Sequence, residues 1–291
     1  MSSPTGSVPI LREITQSNER AKRIQEVVVE PPKQTRIITI SNQKGGVGKT
    51  TTAVNLAAAL ARKGMRVLVI DLDPQGNAAT ALGVDHHNQV VGSYEVLVQG
   101  VPMVDAVKQS PEHQNLSCLP ATINLAGAEI EMVEIEKREL VLRKALQEYL
   151  AVVELDYVFI DSPPSLGLLT VNALSAATEV LVPIQCEYYA LEGVTQLISN
   201  IERIKRGLNP ELVISSILLT MYDNRTNLSS DVASEVRKFF PSQTLDATIP
   251  RSVRLSEAPS FGQTAISYDP RNTGSLAYQE AAIELAQRGA R

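Results

Sequence analysis

The chain has 291 residues, a formal net charge of −5, 44% apolar residues and 4% aromatics, with no tryptophan. That is ordinary for a globular chain whose core is built from Val, Ile, Leu and Ala. The negative balance excludes a global positive field, so any nucleic-acid binding needs a local basic patch or one assembled by dimerisation. Cys118 and Cys186 are too few for a disulfide framework; in apolar strand-like runs they read as buried free thiols of a reducing cytoplasm. No apolar run reaches the length of a spanning helix, and the first residues lack the apolar core of a signal peptide.

Residues 1–35 are rich in Ser, Pro, Gln and charge. Ile10, Leu11, Ile14 and Ile24 are spaced to line a short amphipathic helix, and Pro31-Pro32 closes the segment. The expectation is a flexible or conditionally ordered extension rather than a domain.

From residue 36 to 291 apolar β-type runs alternate with helical runs. Strands are predicted at 36–42, 66–72, 115–119, 156–162, 179–184, 212–219 and 244–249. Helices are predicted at 50–62, 93–99, 137–150, 168–177, 190–206, 227–240 and 274–288. Runs such as Val67-Leu68-Val69-Ile70 are continuously apolar, as in a sheet covered on both faces. The alternation implies an α/β fold with a mostly parallel, helix-covered twisted sheet, plus the short N-terminal extension, and the glycine-rich loop described next makes it a single P-loop NTPase domain. Ligands then sit outside the carboxyl ends of the strands.

The first strand, Arg36-Ile37-Ile38-Thr39-Ile40, runs into Lys44-Gly45-Gly46-Val47-Gly48-Lys49-Thr50-Thr51 and then an alanine-rich helix. Strand, glycine-rich turn and helix start form the context of a phosphate-binding loop. The glycines let backbone N–H groups converge on phosphate oxygens, and the helix N-terminus adds unpaired donors and partial positive charge. Lys49 is expected to reach the β- and γ-phosphates and Thr50 to ligate Mg²⁺. The ordinary pattern would have Gly at position 43, where this chain has Gln43. Lys44 is a second cation in the loop. It is suited to lie over its own nucleotide or to cross a dimer interface, in the manner of an arginine finger.

Two acidic motifs follow. The second strand ends in Asp71-Leu72-Asp73-Pro74, with Asp71 and Asp73 expected on one side. Asp73 is placed to orient or deprotonate an attacking water; the plainer alternative is a turn-capping carboxylate. The run Tyr157-Val158-Phe159-Ile160-Asp161 is of Walker B type, with Asp161 expected to hold Mg²⁺ together with Thr50. The guanine-reading Asn-Lys-x-Asp element is absent, which favours ATP over GTP.

The loop with its second lysine resembles the deviant Walker A motif of the ParA/MinD superfamily. From Ser41-Asn42-Gln43 onward to the C-terminus the chain resembles ParA/Soj chromosome and plasmid partition ATPases. The resemblance implies that Asp73 is the switch I aspartate that supports hydrolysis, that Asp161-Ser162-Pro163-Pro164 is switch II, and that Lys44 reaches the partner subunit's phosphates. It also implies that the segment from Ile249 to Ser260 closes over adenine, with Pro250 and Ser252 against the nucleotide; the family often has Asn where this chain has Ser252. By the same resemblance an ATP homodimer binds nonspecific DNA through Arg225 and Arg251, and a ParB-like centromere-binding partner stimulates hydrolysis. The product would be a slow, Mg²⁺-dependent ATP hydrolase on the nucleoid.

Three other readings compete. A MinD-like membrane ATPase shares the nucleotide motifs, but the last helix from Ser275 to Ala286 has no Phe, Trp or lysine-rich face. A non-hydrolysing scaffold is disfavoured by intact Lys49, Thr50, Asp73 and Asp161. Iron–sulfur reductases that share the loop need interface cysteines, and Cys118 and Cys186 lie in strand runs instead. His86, His87 and His113 have no ligand spacing and read as surface residues; Met103 and Met132 read as helix packing.

Overall fold

The computed structural model describes the backbone of residues 7–289 apart from Asn88 and Tyr189, and side chains from Ile14 onward apart from 190–192 and those two residues. Its strands are β1 Arg36–Ile40, β2 Val67–Asp71, β3 Lys108–Gln109, β4 Leu116–Leu119, β5 Tyr157–Asp161, β6 Glu179–Gln185, β7 Val213–Tyr222 and β8 Thr244–Pro250. They form one sheet in the order β3-β4-β2-β5-β1-β6-β7-β8. All pairings are parallel except the short β3–β4 edge. All seven predicted strands are present. The two-residue β3 carries no periodic signal and is an addition.

The apolar runs alternate between two cores. Val67, Val69, Tyr157 and Phe159 face one; Leu68, Ile70, Val158 and Ile160 face the other. Burial on both faces is what makes these strands continuously apolar. The first core is covered by helices Lys49–Arg62 and Thr273–Gly289. Ala53, Ala57, Ala58 and Ala61 are buried there, and such small side chains let the helix backbone approach the sheet. Thr52 and Tyr278 share a buried hydroxyl–hydroxyl hydrogen bond of 3.1 Å that joins the two helices. The second core is covered by Val141–Leu150, Leu168–Ala176, Ala190–Gly207 and Asn227–Phe239.

The predicted helix 137–150 is broken: a 3₁₀ turn at Arg138–Leu140 precedes Val141–Leu150. Lys137 enters that turn at φ 54°, a left-handed conformation that interrupts an α-helix. Short helices at Asn77–Ala81, Met103–Ala106, Leu125–Glu131, Val253–Glu257 and Ala265–Tyr268 lie below the length at which periodicity is readable.

Residues Ser7–Glu26 form a helix of 20 residues, longer than the short one expected. Ile24 is buried against the first core, whereas Ile14 is 52% exposed. Ile10 and Leu11 lie outside the described side chains. Among the described residues no helix is long and apolar enough to cross a membrane.

Candidate nucleotide-binding site

β1 lies between β5 and β6 at the centre of the sheet, and its carboxyl end delivers the chain into the loop 41–48. Asn42 shapes the entry: its Nδ2 donates to the Pro183 carbonyl at 2.8 Å, and its Oδ1 accepts from the Lys44 N–H at 3.0 Å. Gly46 and Gly48 take φ of 75° and 89°, conformations that a side chain would strain. Gly48 is the N-cap of the Lys49–Arg62 helix and has no side chain to occupy the helix's free N–H groups. A loop built this way presents donors to an anion. The Thr220 hydroxyl, near the end of β7, donates to the Val47 carbonyl at 2.9 Å and fastens the loop from behind.

The two lysines sit differently. Lys49 is buried, and desolvation lowers its pKa against the opposing charges of Asp161 and Asp73. Among the described residues its Nζ hydrogen-bonds to the Lys44 carbonyl alone, at 3.4 Å. Lys44 is half exposed, and its Nζ donates to Glu187 Oε2 at 2.9 Å. Glu187 is itself held by the Gln185 side chain.

The three carboxylates at the sheet's carboxyl edge have separate surroundings. Asp71 and Asp161 are in register on β2 and β5. Asp71 is fully buried and accepts the N–H groups of Asp73, Ala78 and Ala79 at 3.0, 3.1 and 3.2 Å. It caps the Asn77–Ala81 helix and so has a structural task. Both oxygens of Asp161 are buried and have no hydrogen-bond partner among the described residues. Thr50 and Lys49 lie close enough to oppose the upward shift of the Asp161 pKa that burial causes, yet neither completes a hydrogen bond to it. Burial, then the charge of Asp161, pushes Asp71 up as well. Asp73 lies past the end of β2, half-buried, where its Oδ1 accepts the Gln75 N–H at 3.0 Å. Among the described residues no cluster of three or more His, Cys, Asp or Glu would hold a metal by itself.

Pro250 ends β8 opposite Tyr222 of β7, which brings the loops carrying Arg225 and Arg251 to one edge. Arg251 is exposed; Arg225 is 85% exposed and makes a two-pronged pair with Asp223 at 2.9 and 2.8 Å. Ser252 is half-buried, and its hydroxyl donates to Asn272 Oδ1 at 2.9 Å rather than lying free. Leu255 and Ser256 face Thr50 and Thr51 across a cavity of about 240 Å³.

The model of an AAA domain family matches residues 35–214. The sporulation initiation inhibitor protein Soj of Bacillus subtilis is 51% identical over 255 residues, covering 87% of this chain and 99% of the relative. The chromosome partitioning protein ParA of Myxococcus xanthus is 51% identical over 253 residues, covering 87% and 88%. The chain belongs to the ParA/Soj family. Among solved structures it is similar to a cobyrinic acid a,c-diamide synthase from Mycobacterium smegmatis with bound ADP and magnesium. That likeness has a TM-score of 0.74 and 39% identity over 86% of this chain and 93% of the other.

In this ParA/Soj chain several site-forming residues carried no sequence signal. Glu187, Thr220 and Asn272 act across separations of 143, 173 and 20 residues, and only the sheet order and the turns it positions bring them in. Asn42 was legible as a neighbour of the loop but not as its brace. Of the histidines, His87 is exposed; His86 and His113 are half-buried, and a ring nitrogen of His86 lies 2.8 Å from the Thr80 hydroxyl. The surface reading therefore holds for His87 and needs correction for the other two, which fill loop corners. Met103 and Met132 are buried packing residues, and both cysteines are buried with their thiols pushed up by desolvation.

Proposed function

We propose that this protein is a DNA-segregation ATPase whose ATP-bound homodimer holds nonspecific DNA and whose hydrolysis, stimulated by a ParB-like partner, releases it from the nucleoid. The observation that carries the nucleotide part is the pair of unpartnered, buried Asp161 oxygens beside Lys49 at the mouth of a donor-lined loop. A buried carboxylate with no donor is costly unless a cation joins it. The residues therefore fit magnesium at Asp161 and Thr50, and nucleotide phosphates on Gly45, Gly46, Val47, Gly48, Lys49, Thr50 and Thr51. The M. smegmatis relative solved with ADP and magnesium supports the same assignment.

Magnesium supplies charge neutralisation of the phosphate oxygens when bound. The chain's own groups do the rest. The loop N–H groups and Lys49 hold and orient the phosphates, and burial makes that lysine's charge act through a low dielectric. Asp73, past the strand end, orients the attacking water and takes its proton. Pro250 and Ser252 wall the base. Lys44 completes the site of the partner subunit, and turnover is slow because a single subunit lacks that cation. Arg225 and Arg251 contact DNA phosphates, and two copies in the dimer multiply that contact. Residues 36–291 are the ATPase domain in this reading and residues 1–35 an extension to it. Cys118 and Cys186, buried and held as thiols, serve neither as nucleophiles nor as metal ligands.

The test is retention on nonspecific DNA with ATP, ADP or no nucleotide, at low and moderate salt, with dimerisation followed in parallel. Binding with ATP alone, lost as salt rises, is the expected result. ATP-dependent dimers that bind no DNA in any state would refute the DNA arm and leave the ATPase.

A further inference from the structure

The helix before β1 lies ahead of the family model, which begins at residue 35, yet it is fastened to the wall of the nucleotide site. Ser17 Oγ donates to the Arg271 carbonyl at 2.8 Å. Arg20 grips Glu280 of the Thr273–Gly289 helix with two hydrogen bonds of 2.5 Å. Near the helix's end, Lys63 Nζ donates to the carbonyls of Ile24 and Val27 at 2.5 and 2.7 Å, and Lys63 directly follows the helix that starts at the phosphate loop. Ile24 is buried beneath this contact.

The turn held by Ser17 leads on to the site. Asn272 Oδ1, one residue after Arg271, accepts both the Ser252 hydroxyl and the Gly274 N–H at 2.9 Å. A Cβ on Gly274 would stand 2.9 Å from the Leu255 side chain, so the turn bears on Leu255 without slack. Leu255 in turn lines the cavity against Thr50 and Thr51. Packed interiors transmit displacement, so a shift of Ser17, and of Arg20 through the helix that carries Glu280 and begins at Thr273, passes through residues 271–274 to residues 252–255.

We propose that Ser17 and Arg20 are positioning residues for nucleotide binding, the N-terminal helix acting as a brace on the segment that closes over the base; this rests on the nucleotide reading above. The brace is separable from stability. Arg20 and Glu280 are 30% and 37% exposed, and such a pair contributes little to folding. Coupling is reciprocal, so nucleotide must also steady the helix.

The experiment uses the full chain and a fluorescent ATP analogue with magnesium. It compares the wild type with Ser17→Ala, Arg20→Glu, the double charge swap Arg20→Glu/Glu280→Arg, and Lys49→Ala. Both single brace variants are expected to weaken binding about fivefold or more. The swap should restore it, and nucleotide should slow amide exchange across residues 14–26 in the wild type. Wild-type affinity in both single variants, or exchange indifferent to nucleotide, with binding abolished in Lys49→Ala, overturns the brace and leaves the nucleotide site standing. Weakening that follows a lower melting temperature and is not restored by the swap also overturns it, the helix then being structural only. Full binding by Lys49→Ala overturns both readings.

Discussion

Lys44 Nζ and Glu187 Oε2 are 2.9 Å apart across the mouth of the phosphate loop, so the extra cation of this loop is paired within its own subunit. Both side chains are a little over 40% exposed, and a pair of that kind contributes at most about 1 kcal/mol. The contact is weak enough to be exchanged for the triphosphate of a second subunit.

Lys44→Ala is therefore expected to bind ATP but to fail in dimerisation and turnover. Sedimentation with ATP checks this, and normal dimers would remove the trans role. Glu187→Gln frees the lysine and should lower the ATP concentration needed for dimers by up to about fivefold, the factor that 1 kcal/mol allows.

Asp161→Asn should abolish turnover and raise the melting temperature of the nucleotide-free chain at neutral pH, because it removes a buried, unpartnered charge. The sign follows from the raised pKa of Asp161. A carboxyl whose folded pKa lies above its unfolded one adds stability at low pH and loses it as pH rises through the folded value. The stability gap between the Asp161→Asn variant and the wild type should be widest at alkaline pH and narrow on acidification. Thermal melts from mildly acidic to mildly alkaline pH measure it, and a gap that widens toward acid would contradict the assignment.

Thr220→Val keeps the shape of a buried side chain but leaves the Val47 carbonyl without its donor. The expected loss is about 1–3 kcal/mol of stability, the cost of an unsatisfied buried group. Nucleotide affinity should fall with it, because the loop loses its rear support. Urea melts and nucleotide titration together check this.

Arg251→Glu should abolish nonspecific DNA binding with ATP binding intact. The Arg225 guanidinium holds the Asp223 carboxyl down at about 2, so Asp223 is charged at every working pH and offsets Arg225. Asp223→Asn is expected to tighten DNA binding and to steepen its salt dependence by roughly one phosphate contact. A salt titration of gel-shift affinity reads both variants, and an unchanged slope in Asp223→Asn would exclude Arg225 from the contact.

The parallel sheet and the loop from Lys44 to Thr51 were readable because their physics is local. Strands buried on both faces must be continuously apolar, and a phosphate loop needs glycines between a strand and a helix. Asp71 and Asp73 were read as a pair on one side of a strand. The strand ends at Asp71, however, and the two carboxylates part: one is consumed by the N–H groups of Ala78 and Ala79, the other lies in the turn. Ser252 was placed by likeness alone, and its engagement with Asn272 depends on a turn that carries no period.

The sequence by itself determined the sheet, the phosphate loop and the family, because each is written in contiguous residues whose spacing matches a backbone period or a turn. Only the tertiary structure decided that Lys44 is paired with Glu187, that Thr220 supports the loop, that Asp161 finds no donor among the described residues, and that Ser17 reaches the turn behind Ser252 while Arg20 holds the helix that follows it. Those relationships join residues far apart in the chain. They arise from strand order and helix docking, which side-chain pattern constrains only through the shape of the whole core.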